Sequence, residues 1–197
     1  MSQDLLHSLV WMDYRLAILF TVSLPLVLLL WAFFQNMEAI QRLLIIYWKV
    51  ASLLVITVYL MIASMPWSFL TGLAARLLIP VSLWFWVDLN EEIDDASSKP
   101  LTVVFNAWRW AITVYCALGS LATLPFLRCI FASELFSTPY CQMWFEAPWG
   151  YREYFHNAQT PGFLGIIGLL GLAVYILYLA YFVFVRLAKQ GRSAIQQ

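Results

Sequence analysis

Long stretches of this chain carry almost no polar side chain, and such stretches recur about five times at the length a lipid-crossing helix needs, about 20 residues. They lie near 16–34, 43–64, 67–90, 101–127 and 163–185. Within them the apolar positions run on continuously instead of alternating. That pattern selects helices over a β-barrel. The pattern therefore predicts an all-α, polytopic transmembrane helix bundle, one membrane domain over residues 1–197. Short links make neighbouring helices antiparallel. The links differ in length and the runs share no motif, which argues against an inverted-repeat transporter.

Composition agrees with the pattern. Of 197 residues, 63% are hydrophobic and 11% charged, against about 25% charged in soluble domains. There is too little polar surface to clothe a water-soluble globule, so the expected surroundings are a lipid bilayer. Eleven bases balance eleven acids, which gives no pull toward nucleic acid. Asp4 and Asp13 precede the first run without a small-residue cleavage site, so a removed signal peptide is not expected. Arg42, Lys49, Lys99, Arg186, Lys189 and Arg192 fall on one side of a five-span bundle, and Arg15, Arg128 and Arg152 on the other. Lys and Arg favour the cytoplasm. The expected orientation is N-out, C-in.

Charge inside the runs is the least generic feature. Arg76 lies about 13 Å into a helix that starts at Trp67, and an arginine near mid-bilayer costs about 2.5–3.5 kcal/mol on insertion scales. It needs a partner. Water, a carbonyl freed by Pro80, or a carboxylate of the outer loop (Glu134, Glu146 or Glu153) are the candidates, with Arg76 acting as an inter-helix strut or as a ligand-binding cation. Lys49 suits a snorkelling lysine. Asn106 and Arg109 share a helix face. The acidic link 91–100 opens with Glu91 and Glu92, just after Asp88. Lys49 and Arg109 fall on the same membrane side as these acids, and an ion-pair layer tying the second, third and fourth runs together is expected.

Residues 128–162 form an aromatic outer segment. Cys129 and Cys141 bracket its first part, open to a disulfide in an oxidising compartment or to two free thiols; Cys116 reads as an apolar filler. The last run carries Gly162, Gly165, Gly168 and Gly171 every third position, continued by Tyr175 and Tyr178. Such a stripe serves packing within the bundle or docking of another subunit.

Catalytic chemistry is thinly represented. His7 and His156 both lie outside the predicted runs, which excludes haem held by paired intramembrane histidines. CxxC, HExxH and GxSxG are absent. The carboxylates around Asp88 could hold Mg²⁺ for a diphosphate substrate, but there is only one acidic cluster, and a hydrated turn is the simpler reading. No catalytic residue, metal or cofactor is expected.

The segments LLIIYWKVASLLVITVYL, LIPVSLWFWVDLNEE and WRWAITVY, with the aromatic segment and the RLAKQGR tail, resemble a small cyanobacterial integral-membrane family of unassigned function. The resemblance implies a thylakoid or plasma membrane location and a role in building or stabilising a photosynthetic complex; it carries over no site residue. Three functions follow in order: a non-catalytic assembly factor or accessory subunit with other membrane protein subunits as partners, a small-anion transporter or channel using Arg76, and a Mg²⁺-dependent lipid- or isoprenoid-modifying enzyme using Asp88, Glu91 and Glu92.

Overall fold

The computed structural model describes residues 3–96 and 99–194, the side chain of Gln190 excepted; Ser97 and Ser98 of the acidic link lie outside the described residues. Those residues are mainly helical, without a strand. The helices of nine residues or more are α1 (Gln3–Phe34), α2 (Glu38–Ile62), α3 (Ser68–Trp84), α4 (Val87–Asp95), α5 (Pro100–Phe131), α6 (Glu146–Phe155) and α7 (Pro161–Leu187). Among the described residues, four helices are long and apolar enough to cross a membrane, and α3 with α4 makes a fifth if the pair is one broken span.

The run 16–34 is the later part of a longer helix that begins at Gln3. Pro25 shapes its middle. Proline has no N–H to give the carbonyl four residues back, and the helix widens to a π-turn over Ile18–Ser23, where Leu24 N donates to Leu19 O. Phe20 O and Thr21 O thereby lose their usual donors. Trp108 Nε1 on α5 donates to Phe20 O at 2.9 Å, and the buried Tyr47 hydroxyl on α2 donates to Thr21 O at 2.7 Å. In lipid no water could do this, so one proline fastens three helices.

The connections follow local chemistry. At the end of α1, Met37 N reaches Ala32 O (3.0 Å) and Asn36 N reaches Phe33 O (3.3 Å), with Asn36 at φ 49°. Ser64 at φ 54° repeats the pattern after α2, with Met65 N on Leu60 O at 3.0 Å. Both are left-handed helix stops using polar residues in place of glycine. Pro100 and Pro161 sit in the first turns of α5 and α7, where a missing N–H costs nothing.

The run 67–90 is not one straight helix. It breaks at Phe85–Trp86, where Trp86 is extended, and α3 and α4 meet at 58°. Asn90 Nδ2 donates to the carbonyl of Trp86 at 2.7 Å, beside the backbone bond from Asn90 N at 3.2 Å. The chain's other end reinforces the break. Gly191 (φ 62°) turns the tail back, so that Arg192 Nε donates to Phe85 O at 2.9 Å and Val87 N donates to Arg192 O at 3.3 Å.

Two cores mark the two ends of the bundle. One gathers Val10, Met61, Phe69, Phe126, Trp144 and Phe145 around Cys129 and Cys141, and is called here the disulfide end. The other gathers Leu28, Ala32, Ile40, Leu83, Leu89 and Leu101, and is called the tail end. Each core draws on the start of one helix and the finish of the next. Successive helices therefore alternate in direction, and α7 packs mainly along α2.

Candidate functional site

Arg76 is the natural centre, and its partner is Asp13. Arg76 Nη2 pairs with Asp13 Oδ2, with side-chain exposures of only 11% and 18%. The outer-loop acids expected for this role do not supply it. Helical side chains lean toward the N-terminus, so Arg76 leans toward the disulfide end, where the first half of α1 carries Asp13. Tyr115 on α5 completes the group: its hydroxyl donates to Asp13 Oδ1 at 3.0 Å, and its ring centroid lies 5.7 Å from Arg76 Cζ. Gly119, one turn further along α5, lets the guanidinium lie against the helix. A Cβ there would overlap Arg76 Nη1. That nitrogen is buried without an acceptor.

The neighbouring contacts lock this group in place. Tyr14 donates to Trp144 O at 2.6 Å and thereby ties α1 to the segment before α6. Phe20 stacks on Tyr115 with centroids 5.7 Å apart. The arrangement can neutralise a charge inside a bilayer and hold α1, α3 and α5 in register. In low dielectric a pair like this owes its persistence to the cost of leaving either ion alone.

The expected ion-pair layer takes a different form. Arg109, 4% exposed, donates to Asn90 Oδ1, and its Cζ lies 4.0 Å from the Trp84 ring centroid. Trp84 Nε1 in turn donates to Thr113 at 2.9 Å. A neutral amide and an aromatic face thus hold this cation, because α4 turns away at the break and carries Glu91 and Glu92 to the exposed side. Neither Lys49 nor Arg109 forms an ion pair among the described residues. Asn106 Oδ1 is buried without a partner. Asp88 Oδ2 instead accepts from Ala194 N at 2.8 Å and Ser193 Oγ at 3.0 Å, which fixes the tail to the start of α4.

Cys129 and Cys141 form a disulfide, Cα–Cα 6.1 Å, inside the core of the disulfide end; Cys116 is buried and free. His7 and His156 are apart in role and place. His7 Nε2 meets Glu146 Oε2 at 2.7 Å, and His156 meets Tyr59 at 3.2 Å. Among the described residues no group of three or more His, Cys, Asp or Glu is placed to hold a metal ion. Along the glycine stripe, a Cβ at Gly168 would lie 3.3 Å from the backbone nitrogen of Leu60, and one at Gly165 would lie 2.5 Å from Ala63 Cβ. Gly171 faces Ile56, whereas Gly162 faces open space. Tyr175 continues the seam to Val50 O at 3.4 Å, and Tyr178 lines a cavity near the tail end. The stripe from Gly165 to Tyr175 therefore packs against α2.

Asp13, Tyr115 and Gly119 were not singled out by the sequence reading. The available signal was a lone acid amid Val10, Trp11, Met12 and Tyr14, a setting more like a helix interior than a solvated leader.

A family profile described as "Protein of unknown function (DUF3177)" matches residues 7–195. The chain belongs to this family. No curated protein and no solved structure gives a match. The matched region of this DUF3177 member spans every group described above, from His7 to Ala194.

Proposed function

We propose that this membrane protein is a non-catalytic component of a larger membrane assembly, an assembly factor or accessory subunit. One observation carries the reading: Arg76, Arg109 and Asp88, the three polar groups best placed for chemistry, are each engaged within the fold, while a broad apolar flank is turned outward. Arg76 is held by Asp13, Arg109 by Asn90, and Asp88 by the tail. Meanwhile α7 leans on α2 by one face and presents Leu170, Val174, Leu177 and Phe184 on the other, each more than 60% exposed. At the disulfide end Phe131, Tyr154 and Phe155 add an exposed aromatic rim. Another transmembrane subunit packing on this surface would do so by van der Waals contact.

The competing readings lack this support. An anion path through Arg76 would have to displace an internal carboxylate, and a Mg²⁺ site at Asp88 would have to displace the tail. The disulfide supports setting its end on the oxidising side, and the cations of the tail end support setting that end in the cytoplasm: N-out, C-in. The resemblance in sequence favours a cyanobacterial thylakoid or plasma membrane and a photosynthetic complex.

The test is a photo-crosslinker at Leu177 and, separately, at Tyr154, activated in native membranes before mild-detergent purification. A discrete protein adduct at either position is expected. Recovery of the chain alone from both positions overturns the proposal.

A further inference from the structure

A cavity of about 370 Å³ opens at the tail end between α2, α3 and α7, within the usual range for small-molecule sites of about 300–1,000 Å³. Its wall is mainly apolar, including Ile46, Leu78, Val81 and Phe182. Three cations, Arg42, Lys49 and Arg186, lie along it.

Lys49 is the informative one. It is exposed on the outside of α2, eleven positions beyond Glu38, or about 16 Å along the axis. A lysine at that depth lowers its cost by reaching toward headgroups, and among the described residues it has no ion pair. Its lean is toward the start of α2, where Arg42 stands. Arg42 pairs with Glu38 at 2.9 Å, but both side chains are more than half exposed, and such a pair is weak. Further in, Trp86 lines the cavity, 4% exposed, and its indole N–H is buried without an acceptor. A buried donor left so is costly and points to an acceptor from outside the chain.

We propose that this cavity binds one anionic glycerophospholipid. Its phosphate sits among Arg42, Lys49 and Arg186, a polar oxygen of the glycerol ester region accepts from Trp86 Nε1, and an acyl chain lies along Leu78, Val81 and Phe182. Cations at headgroup level above an apolar slot match an amphiphile with a negative head and a greasy tail, and basic pockets between membrane helices recognise lipid phosphates in this way. The tail forms one wall through Ala194, and it is pinned to the α3–α4 break by Asp88 and Phe85. An occupant would therefore brace the break as well. None of this depends on whether the chain has protein partners.

The experiment is native mass spectrometry of the full chain in detergent, titrated with dioleoyl phosphatidylglycerol or dioleoyl phosphatidylcholine. One phosphatidylglycerol per chain should be retained at roughly tenfold lower lipid than phosphatidylcholine. The double variant Arg42→Gln/Lys49→Gln should lose that preference by about tenfold, while Lys189→Gln, a cation of the same end outside the cavity, should keep it. Val81→Trp, which fills the slot from an exposed position, should lower retention of both lipids. Equal retention of the two lipids, or a preference that survives the double variant, overturns the proposal. So does release of phosphatidylglycerol by millimolar inorganic phosphate, which would assign the cations to a soluble anion.

Discussion

Asp13 and Arg76, 63 positions apart in the chain, form an ion pair in the interior of the bundle, and Tyr115 donates to the same carboxylate from a third helix. Removing one ion strands the other. Arg76→Met or Asp13→Ala alone should each cost about 3–5 kcal/mol, and the double variant Asp13→Leu/Arg76→Met should recover most of the loss. Thermal unfolding in detergent, run as a double-mutant cycle, measures this. Simple addition of the two single losses would show that the pair is not a unit.

Gly119 tests the same group sterically. Gly119→Ala places a methyl where Arg76 Nη1 lies, so the guanidinium must leave Asp13 or α5 must shift. A loss of about 1–3 kcal/mol is expected from overpacking. In an Arg76→Met background most of that loss should vanish. If the penalty is unchanged there, the crowding comes from elsewhere.

Tyr47 and Pro25 should be coupled although they do not share a helix. Tyr47→Phe strips Thr21 O of its 2.7 Å donor and should cost about 1 kcal/mol, in the range of hydrogen bonds in membrane bundles. Pro25→Ala restores a backbone N–H, lets α1 close its own ladder, and should shrink the Tyr47→Phe penalty. Equal penalties in both backgrounds would mean that the carbonyl is not freed by the proline.

The disulfide closes a loop of about a dozen residues, worth roughly 3 kcal/mol in the chain-entropy model. Cys129→Ser/Cys141→Ser should lower the unfolding temperature correspondingly. Without reductant the unfolded chain should take up one maleimide, at Cys116, and three after reduction, which intact-mass measurement counts.

Much of the architecture was legible because lipid leaves so few options. A chain this apolar must satisfy its backbone within helices, and run length located four of them, while the run 67–90 is a bent pair. Asp13 was harder to read: it stands ahead of the apolar run 16–34, and only the structure shows that α1 begins at Gln3 and carries it into the bundle. Arg109 had a correct neighbourhood and an unexpected partner. Asn90, not Asp88, Glu91 or Glu92, faces it, because the break at Phe85–Trp86 rotates the acids away.

The sequence by itself determined that the chain forms apolar helices of membrane-crossing length, that a cation lies deep among them, and that small residues recur every third position along the last one. These are properties of single segments, set by transfer free energy, backbone hydrogen bonding and side-chain volume. Which carboxylate meets Arg76, which hydroxyl takes the carbonyl freed by Pro25, and where the tail lands were decided only in three dimensions. Each depends on how helices distant in sequence are rotated and staggered, and packing of all the faces at once fixes that.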